Sequence, residues 1–488
     1  MSALLLLLPL AAVQKLIQDV PRPPLHDDSI PRPLPEHRLG QPNPPVLSNS
    51  LSRVNFIRWT DSLRHSPLVR ELAGWLALLR ARFQRTPTSA AIWHCRALDL
   101  ANSTLLQDLA LASLTPHLND TDLWHKVVSG LPRYRTLIPT QPALTRSIIL
   151  KSPGPNGEKG ALLLYFEYNW ARFLLGLPPE DRAWFHEHYD IILTTSWSPT
   201  DYAALALACS IFPGVIWVQP ANRTEAQKIA SFHPRLHVLD SLACDWVNPN
   251  FYQPKPFAHR TIDLIMIANW GHFKRHWEFF QALTHLPHDL RIVLIGQQEG
   301  GRTLDTIRAE ARSFQVPQAI EFYESLPIDQ VTALQCDAKV SVLMSRREGG
   351  CVAAVESLFA GCALAMRSDA HVGSRAHINP QTGTLLRPGH IAQDLLQLLK
   401  LAPTLHPREW AIQNIACQQT TAKLNHQLKS HALAENRPWT RDLALANWHP
   451  HPTFANPSDQ QAMLPAYTEL HHRFPTLFSA DLHQLSWR

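Results

Sequence analysis

A chain of 488 residues is too long for one hydrophobic core, so two or three domains are expected. Its hydrophobic content of 45% is that of a globular protein, and a formal net charge of +5 without a long Lys/Arg run argues against nucleic-acid binding. Such a mildly basic surface suits phosphate-bearing ligands or peripheral contact with an anionic membrane face. The seven cysteines form no C-x-x-C pair, which predicts reduced thiols, a cytoplasmic location and no metal site of the zinc type.

Residues 4–12 are apolar, like the core of a signal segment. No Lys or Arg precedes them and 15–20 continue a helical pattern, so an amphipathic helix start is the expectation. No stretch approaches the ~20 apolar residues of a membrane span. The runs P-R-P-P, P-R-P-L-P and P-N-P-P place a proline-rich arm at 1–65. A helical extension follows at 66–144. In it Leu68, Leu72, Leu76 and Leu79 recur near helical spacing and predict an amphipathic helix over 66–83. Asp120-Thr121-Asp122 is a D-x-D, a pattern that elsewhere holds a divalent metal; with no strand before it and a helix after it, an N-cap is the reading here.

From residue 147 strands and helices alternate. Strands are predicted at 148–151, 161–166, 191–195, 215–219 and 236–239, giving a first α/β domain over 145–257. A second domain, 258–402, carries strands at 262–268, 291–295, 319–323, 340–344, 363–366 and 384–386, with helices between them. Helices over 403–488 are expected to pack back on the first domain.

The second domain holds the stretch with most chemistry in it, Ser345 to Gly361, S-R-R-E-G-G-C-V-A-A-V-E-S-L-F-A-G. A strand leads into a Glu348-Gly349-Gly350 turn. An apolar helix then starts near Cys351 and stops at Gly361, a residue that ends helices in the left-handed conformation. The helix start offers unpaired N–H groups to an anion or to hydroxyls. Glu356, among Ala and Val, is costly to bury unless it is paired or faces a ligand. Upstream, Asn269-Trp270-Gly271-His272-Phe273-Lys274-Arg275 follows a strand and brings positive charge to a helix N-terminus, against the helix dipole.

This E-x7-E stretch, with Lys274 upstream and T-G-T-L-L-R-P downstream, resembles the signature of family 4 retaining glycosyltransferases over roughly residues 260–400. The resemblance implies the GT-B fold: two facing Rossmann-like domains, here with a proline-rich N-terminal arm and a helical extension. It implies transfer of a sugar, with retention, from a nucleotide-diphosphate sugar (UDP- or GDP-linked) to a glycan, lipid-linked or small-molecule acceptor. No cofactor and no metal are implied. By the same resemblance Glu348 and Lys274 are catalytic. Asn269, Lys274, Arg275, Glu348, Gly349, Gly350, Cys351, Val352 and Glu356 bind the nucleotide sugar, with Glu356 on the ribose hydroxyls. Asn269 stands where the family has an Arg, and Arg275 or His272 is the substitute cation. Many family members also place a His in the first domain. Here the strand end reads Thr195-Ser196-Trp197-Ser198-Pro199-Thr200-Asp201, so Ser196, Trp197 and Asp201 are the acceptor candidates. Glu167, Tyr168 and Asn169 follow another strand and could face the same cleft. The departures leave two alternatives: a silent nucleotide-sugar-binding or assembly module, and a phosphorylase or synthase on the same fold.

Overall fold

The computed structural model describes residues 47–135, 146–449 and 451–479. The apolar segment at 4–12 and most of the proline-rich arm lie outside them. Two mainly parallel sheets organise the chain. The first has the order β1-β2-β3-β4-β5, built from Ser147–Lys151, Gly160–Tyr165, Tyr189–Thr194, Ile216–Gln219 and Leu236–Val238. Its edge strand β1 runs antiparallel to β2; the other neighbours are parallel. The strands of β1 to β4 are buried at every position, as expected where helices cover both faces.

The second sheet is all parallel, in the order β11-β10-β9-β6-β7-β8. Its strands are β6 Ile262–Ile267, β7 Ile292–Gly296, β8 Ile320–Glu324, β9 Ala338–Leu343, β10 Ala363–Arg367 and β11 Gly383–Leu386. The first half of the unit winds outward from β6 through β7 to β8. The second half starts on the other side of β6 and winds through β9 and β10 to β11. This is the doubly wound order, and its direction reverses between β6 and β9. Ligands of such sheets bind at the carboxyl ends of the strands on either side of that reversal.

The chain then returns to the first sheet. The helix Cys417–Ala434 buries Leu424 and Leu428 against Ile148, Leu150 and Trp217, and the helix Pro457–Arg473 places Met463, Ala466, Tyr467 and Leu470 in the other half of that core. The Ile149 N–H donates to the Tyr467 hydroxyl at 3.0 Å, tying the tail to β1.

The helical extension departs from expectation at one face. The helix Pro67–Arg82 forms, capped by Ser66, but Leu68, Leu72, Leu76 and Leu79 point to solvent. Its buried positions are Gly74, Ala77, Leu78 and Ala81. A Cβ on Gly74 would meet the Leu106 side chain at 2.6 Å, so small residues are what allow close helix packing here. Asp120 does cap the helix Thr121–Gly130, accepting from the Leu123 N–H at 2.9 Å. Among the described residues no helix is long and apolar enough to cross a membrane.

Candidate functional site at the strand-order reversal

The loop after β6 and the loop after β9 meet where the sheet changes direction. Past β6, the Trp270 N–H donates to the Gln297 carbonyl at 2.8 Å, and Asn269 uses its side-chain oxygen to accept from the Gly271 N–H at 3.2 Å. A 3-10 turn, His272–Lys274, follows. Arg275 then takes the left-handed conformation, φ 60°, and launches the helix His276–Leu283. Past β9, the chain makes the Gly349-Gly350 turn, and Cys351, also left-handed, starts the helix Val352–Phe359. That helix ends at Gly361 with φ +75°, the stop read from the sequence.

The two loops place Lys274 against Glu348: Nζ donates to Oε2 at 2.6 Å, with both side chains about nine-tenths buried. Burial works against the Lys274 charge, but Glu348 outweighs it and holds the ammonium above its usual range. The other Glu348 oxygen, Oε1, is buried with no hydrogen-bond partner. That oxygen has room for a donor from outside the chain.

Glu356 lies one turn into the helix, 8% exposed. Burial pushes its carboxyl up to about 7, partly offset by the neighbouring Tyr252 hydroxyl, which does not reach full hydrogen-bonding geometry with it. Burial, with Glu348 nearby, pushes the Cys351 thiol up to about 12, which disfavours the thiolate.

The glycine turn also has a second task. A Cβ on Gly349 would run into the Ser196 carbonyl, and one on Gly350 would lie 2.8 Å from the Cys244 Cβ. Both partners belong to the first unit or its exit segment, so the glycines are what let the two units close on each other. From behind, the Gly373 N–H donates to the Gly349 carbonyl at 2.7 Å and the Ser374 N–H to the Gly350 carbonyl at 3.0 Å.

Several residues read from the sequence sit elsewhere. Arg275 is 5% exposed, but its guanidinium is committed to Asp61 and to Glu278, the latter at 2.8 Å, and it is no substitute cation for a diphosphate. His272 is exposed and faces Arg302 at 3.2 Å. Asp201 caps the helix Tyr202–Ile211, accepting from Ala203 and Ala204, and its other oxygen takes Tyr134 at 2.6 Å and Arg133. No lone pair of that carboxylate is left for an acceptor. Trp197 stacks on Tyr134 with ring centroids 5.9 Å apart. Ser196 gives its hydroxyl and N–H to Glu167, yet its carbonyl lies at the seam against Gly349. Of the acceptor candidates, Ser196 alone touches the second unit's glycine turn. Tyr252 carries no signal in the sequence: it follows the 3-10 turn Pro249–Phe251 between the two sheets and nears Glu356 only through the fold. Glu299 lies in the loop 297–301, which the sequence reads equally as packing near a nucleotide base or as a plain strand-to-helix turn; it is close enough to Lys274 to feel its charge.

Residues 248–412 match the model of the family Glycosyl transferases group 1. The matched segment spans the whole second sheet and both loops of the site, so glycosyl transfer is the chemistry this unit carries. With the first sheet facing it and the tail returning across, the architecture is that of the GT-B enzymes. No curated protein matches the chain. Solved structures of similar shape include sucrose-phosphate synthase from Thermosynechococcus elongatus, at 14% identity over 56% of this chain and 74% of that one, TM-score 0.45. Anabaena HepE, in complex with UDP, is 13% identical over 55% of this chain and 78% of its own, TM-score 0.43. The pneumococcal O-GlcNAc transferase GtfA, in complex with UDP and GlcNAc, is 13% identical over 54% and 59%, TM-score 0.40.

Proposed function

We propose that the protein is a retaining glycosyltransferase using a nucleotide-diphosphate sugar. The observation that carries this reading is Lys274 paired with Glu348 at the reversal of the strand order, with the buried carboxyl of Glu356 on the helix that follows.

In this reading the diphosphate lies over the start of the helix Val352–Phe359, where backbone N–H groups of Gly350, Cys351 and Val352 are available to it. Lys274 exchanges its Glu348 partner for the phosphate that leaves and stabilises the charge it gains. Glu348, released, accepts from hydroxyls of the transferred sugar and fixes its position. Glu356, ionised, accepts from both ribose hydroxyls. The acceptor enters past Ser196 from the first unit. Its oxygen bonds to the anomeric carbon on the face the phosphate departs from, the bond to phosphate breaks, and the phosphate takes the acceptor's proton. The chain supplies position and charge rather than a nucleophile.

A second reading, a silent nucleotide-sugar-binding module, draws on one observation: Asn269 caps its own turn and Arg275 is tied to Asp61, which leaves Lys274 as the cation at the diphosphate position. Thermal-shift measurements against UDP, GDP, ADP and their sugars separate the cases. An active transferase is stabilised by one nucleotide class and slowly releases that nucleotide from its sugar conjugate. Stabilisation without release favours the silent module. No stabilisation by any nucleotide contradicts both.

A further inference from the structure

Behind the glycine turn the two units meet at a second cluster of chemical groups. Cys244 and Asp245 lie on the segment that leaves β5, anchored to the first unit: the Ala243 N–H donates to the Pro220 carbonyl at 2.9 Å, and Thr420 donates to the Asp245 carbonyl. His377 ends the 3-10 turn Gly373–His377 of the second unit, its carbonyl held by the Thr382 hydroxyl at 2.6 Å. All three side chains are buried.

Their donor atoms converge. His377 Nε2 is 2.7 Å from Asp245 Oδ1 and 3.9 Å from Cys244 Sγ, and Sγ is 3.5 Å from the same Oδ1. A Cys–His–Asp catalytic relay needs the carboxylate and the thiol on opposite ring nitrogens. Here both face Nε2, so the cluster is not built to activate the thiol. The triangle instead resembles one face of a tetrahedral metal site. Ordinary zinc bond lengths put N and O ligands about 3.4 Å apart and S about 3.6 Å from either. Opening the His377–Asp245 pair by under ~1 Å reaches that geometry. The second Asp245 oxygen accepts from the Leu242 N–H at 3.0 Å, the kind of outer contact that orients a ligating carboxylate. A cavity of about 570 Å³, lined by Asp245, His377, Pro220, Leu239 and Trp410 among others, adjoins the cluster and gives room for a water as fourth ligand.

We propose that Cys244, Asp245 and His377 bind a divalent transition-metal ion of the zinc class, and that this ion clamps the two units in the closed arrangement. The spacing of the cysteines in sequence predicts no such site, because the third ligand lies 133 residues from the first. A thiolate, an imidazole and a carboxylate form a zinc-type ligand set rather than one for magnesium or calcium. On binding, the Cys244 thiol proton is released to solvent and the imidazole carries its remaining proton on Nδ1; no electron is transferred. The ion would fix the turn whose Gly373 and Ser374 N–H groups hold Gly349 and Gly350 in place. It takes no part in bond making.

The test uses untagged full-length protein, stripped with chelator and reloaded with Zn²⁺, Co²⁺ or Mg²⁺. The expected result is one Zn²⁺ per chain by elemental analysis, a higher melting temperature with Zn²⁺ but not with Mg²⁺, and a thiolate-to-cobalt absorption band with Co²⁺. Cys244→Ser and His377→Gln should each weaken Zn²⁺ binding by more than about tenfold. Failure of the reloaded wild type to hold stoichiometric Zn²⁺ would overturn the proposal. So would binding by both variants as tight as that of the wild type, which places the metal elsewhere. Should the variants not fold, the wild-type cobalt spectrum decides: metal bound without a thiolate band overturns it.

Discussion

Two glutamates, one in each unit, show how the same residue type serves opposite ends. Glu167, at the start of the helix Glu167–Gly176, and Glu356, inside the helix Val352–Phe359, are both buried, and burial pushes both carboxyls up to about 7. Glu167 is filled by the chain's own donors: the Ser196 N–H at 2.9 Å, the Trp197 N–H at 3.0 Å and the Ser196 hydroxyl. It fastens the loop after β3 to the helix after β2. Among the described residues Glu356 draws on the Tyr252 hydroxyl alone, and weakly. A buried carboxylate whose lone pairs are filled holds structure together; one whose lone pairs are empty costs stability and is retained where a ligand completes it. Burial alone does not separate the two, and the hydrogen-bond inventory does.

The largest effect expected is on turnover. Lys274→Ala removes the cation that Glu348 has and Glu356 lacks, and should lower the rate of nucleotide release from the donor sugar about 10²–10³-fold, with a smaller loss in nucleotide affinity. A mutant with unchanged turnover would remove Lys274 from the site. Next comes the contrast in stability. Glu167→Gln puts an amide N–H₂ against donors and should cost about 1–3 kcal/mol in urea unfolding while leaving nucleotide affinity as it was. Glu356→Gln should be neutral or stabilising. Equal losses in the two would erase the distinction drawn between them.

The pH dependence sharpens it further. Burial raises both groups from the ordinary carboxyl value of about 4.5 to about 7, so between those values the folded chain holds protons the unfolded chain has lost. Their contribution therefore favours the fold at low pH and is lost as pH rises through about 7, by at most about 1.4 kcal/mol per pH unit for each group. Glu356→Gln should remove part of that slope in thermal unfolding. Nucleotide affinity should move the other way, rising from pH 6 to pH 8 as the Glu356 carboxylate ionises and can accept from ribose hydroxyls. The smallest effect is expected on the outward face of the helix Pro67–Arg82. Leu72 is 40% exposed, and Leu72→Ser should change stability by no more than about 0.5 kcal/mol.

Local features were legible in the residues themselves. The strands of the two large sheets are short, mostly apolar segments, and each lies within a few residues of its predicted place; the small hairpin sheet Ala446–Trp448 with Pro452–Phe454 falls in the tail, where only helices were expected. The Gly361 helix stop and the Asp120 cap follow from backbone needs that one residue can meet. The loops that carry Lys274 and Glu348 were legible because a strand leads into each. What was not legible depends on partners far along the chain. Arg275 is drawn off by Asp61, Asp201 by Arg133 and Tyr134, and His377 meets Asp245 across the seam between the units. The leucines of 66–83 carry a helical period whichever face is buried. The choice fell to Gly74 and Ala77, because the neighbouring helix comes close enough to need them.

In the proposed function Glu356 is completed by a nucleotide. Calorimetric titration of the best-binding nucleoside diphosphate into wild type and Glu356→Ala measures this directly. Loss of two charge-assisted hydrogen bonds predicts a fall in affinity of at least about tenfold, with the melting temperature of the free protein unchanged or raised. Equal affinity in the two proteins would contradict the placement of the nucleotide at this carboxylate.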